Sequence, residues 1–156
     1  MEQTPRDEVL VRNVAPGDLE TIIHIDAATA GRRRDKFLAL KLAQAFRDTG
    51  IAISLAAEVD GRVVGFLLAR VYYGEFGTVE PSAVMDVVGV NPDFQDRHVA
   101  SALIDQLRTN LLALGIRRLQ TEVPWDNTGL IGFFQRQGFT LAQRVSLDLD
   151  LERTRR

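Results

Sequence analysis

Apolar and polar positions change period several times along the chain, and each change marks an element. Val9 to Val14 reads as a strand, and Ala15-Pro16-Gly17-Asp18 as a turn that can cap a helix carrying Leu19, Ile22 and Ile23 on one side and ending near Gly31. Phe37, Leu38, Leu42, Ala45 and Phe46 recur at helical spacing and predict a second helix, with Gly50 as its stop. Ile51 to Val59 and Arg62 to Tyr73 are strand-like, and Asp60-Gly61 between them favours the tight turn of a β-hairpin. Tyr72 to Ser82 is polar, aromatic and broken by Gly and Pro, which predicts a loop or a distorted strand extension. The β-branched run Ala83 to Val90 is a strand that Asn91-Pro92 ends. A charged loop, Gln95 to His98, leads into a helix whose Leu103, Leu107, Leu111 and Leu114 share a face, with Asp105, Arg108 and Asn110 elsewhere on the wheel. Gly115 closes that helix, Ile116 to Val123 is the next strand, Asn127 can N-cap a helix stopping at Gly138, and Phe139 to Leu151 alternates as a final strand. The charged ends, Met1 to Asp7 and Glu152 to Arg156, are expected to fray.

This order gives a mixed α/β class. A length of 156 residues with 46% hydrophobic content suits one domain spanning 1–156, with an ordered core over about 8–151. The formal charge is −2 and the longest basic block is Arg32-Arg33-Arg34, read as a solvated face, so no nucleic-acid footprint is expected. The absence of Cys removes disulfides, thiolate nucleophiles and Cys-based zinc sites, and with only His24 and His98 a His-based metal centre is not expected either. The chemistry must then be metal-free or carboxylate-led. Neither a signal-like apolar block nor a membrane-length apolar run is present, so a cytoplasmic protein without a membrane partner is expected.

Candidate chemistry concentrates where the Val84 to Val90 strand passes through Asn91-Pro92 to the helix from Val99. The first N–H groups of a helix lack intrahelical partners and lie at the positive end of its dipole, which suits phosphate, and Arg97 adds a fixed charge. Val90, Pro92, Gln95 and Ala100 match a strand ending Val-x-Pro followed by Gln/Arg-x-x-Gly-x-Gly/Ala. A second block, Glu122-Val123-Pro124-Trp125-Asp126-Asn127 with Leu130, Phe133, Phe134, Gly138 and Phe139, follows at a matching distance. Together they resemble the GCN5-related N-acetyltransferase (GNAT) superfamily. In motif they are most similar to its ribosomal-protein N-terminal acetyltransferase-like members.

That resemblance implies the GNAT fold: a mostly antiparallel mixed sheet, flanked by helices and splayed between strands four and five, with acetyl-CoA in the gap. It implies that backbone groups near Val88, Gly89 and Val90 pair with the pantetheine arm, and that Gln95, Asp96, Arg97, His98, Val99, Ala100 and Ser101 hold the pyrophosphate. Asn127 and Phe134 would contact the cofactor from the last helix. His98 departs from the pattern, which has Gly there to allow positive φ. The imidazole either bonds a phosphate or faces solvent. Phe134 also departs, since many relatives have a Tyr there that protonates the leaving thiolate.

Acetyl transfer to an amine needs a base for the ammonium proton and a proton for the CoA thiolate. Asp86 lies two residues before Val88, which places it on the same strand face, and Glu122 has the spacing to Asn127 of the base in ribosomal-protein acetyltransferases. Both are candidate bases. Asp86 reads equally as a strand carboxylate paired with an Arg such as Arg70, and Glu122 as a residue holding the substrate strand. Tyr72 and Tyr73 are candidate acids or plain strand aromatics, with water as the other proton source. Trp125 and Phe133 read as packing residues rather than substrate platforms. Glu75, Glu80, Asp86 and Glu122 would form an acidic, amine-attracting cleft if they converge. The expected activity is acetyl-CoA-dependent N-acetylation of a primary amine: a small amine, a peptide or protein N-terminus, or a lysine. The alternatives are a catalytically weak acetyl-CoA-binding or sensing module and, should His98 block the loop, an interaction domain. A homodimer is left open as the assembly.

Overall fold

The computed structural model describes residues 8–47, 53–73 and 79–153, apart from the side chains of Asp96 and Arg97. Expectations that fall on Met1–Asp7, the Gly50 stop, Ile51-Ala52, Gly74–Thr78 and the last three residues lie outside these. The chain divides into two compact units, Met1–Glu122 and Val123–Arg156, each taken by itself.

The first unit is a five-stranded sheet in the order β1-β2-β3-β4-β5, made of β1 (Leu10–Asn13), β2 (Leu55–Val59), β3 (Arg62–Tyr72), β4 (Ser82–Val90) and β5 (Leu119–Thr121). All neighbours are antiparallel except β4 and β5, which run parallel because α3 (Val99–Ala113) returns the chain between them. The β2–β3 hairpin turns on Asp60 (φ 50°) and Gly61 (φ 78°), the two successive positive φ values of a type I′ turn. Helices α1 (Leu19–Ala30) and α2 (Asp35–Arg47) cover one face, where Ile22, Ile23, Ile25, Leu38 and Leu42 pack with Ala56, Phe66, Leu68 and Val87. On the other face Val99 and Leu103 of α3 close over Gly65. With both faces covered, β3 is buried continuously from Val64 to Ala69 instead of alternating.

Several expectations are corrected. The predicted strand Ile116 to Val123 shortens to β5: Ile116 still returns its N–H to the Leu111 carbonyl (2.9 Å), leaving only Leu119–Thr121 extended beside β4. Leu114 falls beyond α3 and is 47% exposed. The Arg32–Arg34 block is not simply solvated, because Arg34 donates two hydrogen bonds to the buried Asp26 carboxylate.

In the second unit α4 (Thr128–Arg136) starts at Asn127, whose Oδ1 accepts from the Leu130 N–H (3.2 Å), and turns out at Gly138 (φ 102°). The final strand expected over Phe139 to Leu151 is absent; that stretch has no strand structure, and Leu141, Val145, Leu147, Leu149 and Leu151 are 82–87% exposed. Alternation supplies an apolar face, but a strand also needs a backbone partner, and the second unit by itself, with one helix and no strand among its described residues, supplies none. Among the described residues no helix is long and apolar enough to cross a membrane.

The first strand is fastened by Arg12, which donates to Asp18 (2.8 and 2.9 Å) and to Glu58 (3.0 Å), while Asp18 also accepts the Ala15 N–H (2.7 Å) ahead of α1. The Arg12 hydrogen bonds hold the Asp18 carboxyl below its ordinary 3.8, against the opposing effect of burial. A depressed folded pKa gives stability that is fully present above the unfolded value and lost as pH falls through the folded one. Asp18→Asn is therefore expected to cost about 1–3 kcal/mol at pH 7, with the difference from wild type shrinking below roughly pH 4. Urea melts at pH 7 and pH 3 check this, and an equal difference at both would contradict it.

Candidate functional site

The β4–β5 ladder is short. Ala83, Val84 and Met85 face Leu119, Gln120 and Thr121, with the Ala83 N–H donating to the Arg118 carbonyl and the Thr121 hydroxyl to the Met85 carbonyl, both at 2.9 Å. Beyond this β5 ends while β4 runs on to Val90, still paired with β3 as far as Gly65. Between Leu68↔Val87 and Ala69↔Met85 the register slips, so Asp86 is an extra residue on β4 and makes a β-bulge. Past the bulge, the Asn91 N–H donates to the Val64 carbonyl (2.7 Å) on β3. Alternation then turns the backbone groups of Gly89 and Val87 toward β3 and those of Val88 and Val90 to the side where β5 has stopped. Those outward groups have no strand partner among the described residues, so an extended, amide-rich ligand can add there as a strand. Gly89 serves differently: a Cβ there would sit 2.7 Å from Phe66 Cε1, so its absence lets that ring pack beneath β4.

At the end of β4, Asn91 Oδ1 accepts the Asp93 N–H (3.0 Å) and a 3-10 turn, Pro92–Arg97, leads to α3. His98 takes φ 58° and ψ 25°, the left-handed geometry expected of the Gly it replaces, at a cost of roughly 1 kcal/mol. The α3 start has no side-chain cap and no acidic residue in its first turn, and its first internal bond runs from the Ala102 N–H to the His98 carbonyl (3.0 Å). The N–H groups of that turn and the dipole behind them suit an anion. The structure thus gathers Val88, Val90 and the backbone from Gln95 to Ser101 at one end of β4. Gln95 and His98 are exposed, Ala100 and Ser101 half-buried, and Val99 turns inward over Gly65.

Asp86 does not lie on the face of Val88. Its carboxylate accepts from Arg70 Nε (2.8 Å) and Nη2 (3.3 Å) and lies 3.5 Å from Lys41 Nζ of α2, with only 13% of the side chain exposed. That is the α1/α2 side of the sheet, shared with Leu68, whereas Val88 opposes Leu67 and belongs to the side of Gly65 and α3. The bulge breaks the two-residue period on which the same-face expectation rested. Arg70 also stacks on the Tyr72 ring (4.5 Å), and Tyr73 is 58% exposed. Glu122 follows β5 directly, is exposed, and has no hydrogen-bond or ion-pair partner among the described residues.

The acidic-cleft expectation is weakened accordingly. Asp86 carries two cations of its own, Glu80 is exposed, and Glu75 lies outside the described residues. Lys41 is absent from the sequence-based candidates, because a Lys between Leu40 and Leu42 reads as surface until tertiary contact brings it to Asp86. In the second unit, Asn127 commits its carbonyl oxygen to capping α4, and Phe134 is buried beside Phe133 and Phe139, with ring centroids at 5.3 and 5.1 Å. Trp125 is 88% exposed and does not pack as expected, since it sits in the turn that the Asn127 N–H closes onto the Pro124 carbonyl (2.9 Å).

Comparison with known proteins gives a consistent picture. The sequence model of the Acetyltransferase (GNAT) family matches residues 19–139. Similar solved structures include the aminoglycoside N-acetyltransferase AAC(6')-Iy in complex with CoA (22% identity, 96% of this chain and 99% of that chain, TM-score 0.76). A ribosomal-protein-alanine N-acetyltransferase from Brucella melitensis biovar Abortus 2308 is 23% identical, over 92% of this chain and 99% of that one, with a TM-score of 0.71. A transcriptional regulator from Bacillus halodurans C-125 is 17% identical, over 92% and 100%, with a TM-score of 0.75.

The close approach of α3 to β3 is testable. A Cβ on Gly65 would meet Val99 Cγ1 at 2.7 Å and the Gly89 carbonyl at 3.3 Å, and neither can swing away. Gly65→Ala is expected to destabilise by about 1–3 kcal/mol through displacement of the α3 start. Urea melts matching wild type would contradict that packing.

Proposed function

This chain belongs to the acetyltransferase (GNAT) family and is an acyltransferase of that type, and from that premise we propose that it transfers the acetyl group of acetyl-CoA to a primary amine by direct attack in a ternary complex. The observation that carries this reading is the pair of outward backbone positions, Val88 and Val90, ending at the uncapped start of α3. The former suit an amide-rich pantetheine arm and the latter a pyrophosphate.

Glu122 is the base in this reading, because of the two candidate bases it is the one with no ion-pair partner among the described residues, while Asp86 is spent on Arg70 and Lys41. Glu122 takes the ammonium proton directly or through water, the amine nitrogen bonds the thioester carbonyl carbon, and the C–S bond breaks to release CoA thiolate. The second proton that the nitrogen sheds as the amide forms passes through water to the departing thiolate, which is feasible for a thiol of solution pKa about 8.5, since the motif position where many relatives carry Tyr holds Phe134 in this sequence. Phe134 also favours the second reading, an acetyl-CoA-binding or sensing module with weak turnover.

Thermal shift with acetyl-CoA and CoA, followed by thiol release against an amine panel, separates these readings. Stabilisation by both ligands and thiol release with at least one amine are expected. No stabilisation would reject both, and stabilisation without release would favour sensing. Glu122→Gln should lower kcat about 100-fold at saturating acetyl-CoA, less so at alkaline pH where the amine arrives deprotonated. An unchanged kcat would remove Glu122 from the role.

A further inference from the structure

β5 is only three residues long, and its two ends are held differently. Ahead of it the Ile116 N–H donates to the Leu111 carbonyl and the Ala83 N–H to the Arg118 carbonyl, both backbone bonds at 2.9 Å. At its far end Thr121 adds its side chain, the hydroxyl donating to the Met85 carbonyl on β4 at 2.9 Å. A strand this short frays readily, because each residue released from its end removes a large share of its pairing. A side-chain bond at the last position opposes that release.

The acceptor of this bond is well anchored. Met85 is 1% exposed and pairs with Ala69 of β3, and the next residue, Asp86, is gripped by Arg70 and Lys41. Thr121 is thereby tied to a rigid part of the sheet, at the last β4 carbonyl that points to β5 before the bulge. Val88 lies three residues further along β4, so the opening begins within about 10 Å of the tie. Glu122 is the residue that follows Thr121. It is exposed, lies outside β5 and has no ion-pair partner among the described residues. A base must come within about 2.6–3.2 Å of the proton it removes. With no partner to fix its own carboxylate, Glu122 takes its position from the backbone that Thr121 holds.

We propose that Thr121 is a positioning residue for acetyl transfer: its hydroxyl bond to Met85 holds the end of β5 so that the Glu122 carboxylate reaches the amine at the β4 opening. The proposal rests on the reading of Glu122 as the base. Misplacing a reacting group by about 1 Å can cost roughly 100-fold in rate, and loss of one tether, which loosens the strand end without removing it, is assigned about tenfold.

The test compares two variants of the full chain. Thr121→Val keeps the branched shape that suits a strand and removes the hydroxyl, whereas Thr121→Ser keeps the hydroxyl. Exchange of the Met85 amide, which faces β5, should quicken about tenfold in Thr121→Val and stay near wild type in Thr121→Ser. Unchanged exchange in Thr121→Val overturns the tie, whichever amine is the substrate. At saturating acetyl-CoA and pH 7, Thr121→Val should lower kcat about tenfold, with the deficit narrowing at alkaline pH where the amine arrives deprotonated. KM for acetyl-CoA should move less than about twofold, and Thr121→Ser should recover kcat to within about threefold of wild type. In a Glu122→Gln background, Thr121→Val should cost less than about twofold more, because the group it positions is already gone. A deficit equal at every pH, no recovery with Ser, or a deficit undiminished beside a damaging Glu122→Gln makes Thr121 merely structural and overturns the proposal. If Glu122→Gln alone leaves kcat unchanged, the base reading fails and takes the positioning role with it, while Met85 exchange still reports the tie.

Discussion

The candidate site depends on one irregularity, the extra residue Asp86 in β4. Before it, the backbone groups of Ala83 and Met85 point to β5; after it, Val88 and Val90 take that direction. Without the bulge, parity would send Val87 and Gly89 outward and turn the valine side chains to the opposite helices. The shift occurs just where β5 ends, so the strand has lost its second neighbour when its polar groups change sides. Arg70 and Lys41 hold the bulge by taking the Asp86 carboxylate from two elements, β3 and α2.

This explains why the carboxylates of the α1/α2 face serve structure more than chemistry. Asp86 and Asp26 are both largely buried and both paired with Arg, and removing one partner of such a pair costs about 3–5 kcal/mol because the other charge is stranded. Carboxylates committed in this way do not attract a cationic substrate. Glu122, exposed at the end of β5, retains that freedom.

Local chemistry made much of this architecture legible in the sequence. Asp60-Gly61 gives its hairpin, Gly31 and Gly115 take the positive φ of helix ends, Asn127 caps α4, and His98 occupies the left-handed position that its place in the motif implies. What escaped the sequence is what depends on tertiary register. Nothing in Val84 to Val90 signals that Asp86 is an extra residue, so simple alternation assigns it to the wrong face. The Arg34 ion pair spans eight residues across a helix junction, which a reading of Arg32–Arg34 as a surface run does not capture. Phe139 to Leu151 alternates as a strand should, yet pattern alone cannot provide the backbone partner that makes one.

The most direct measurement is amide hydrogen exchange resolved at individual β4 residues, with and without acetyl-CoA. The Val87 and Gly89 amides, bonded to β3, should exchange slowly in both states, whereas those of Val88 and Val90 should exchange readily in the free protein and slow at least tenfold with ligand bound. Slow exchange at Val88 and Val90 without ligand, or exchange there that acetyl-CoA leaves unchanged, would contradict the bulge-set opening as the place where the cosubstrate binds.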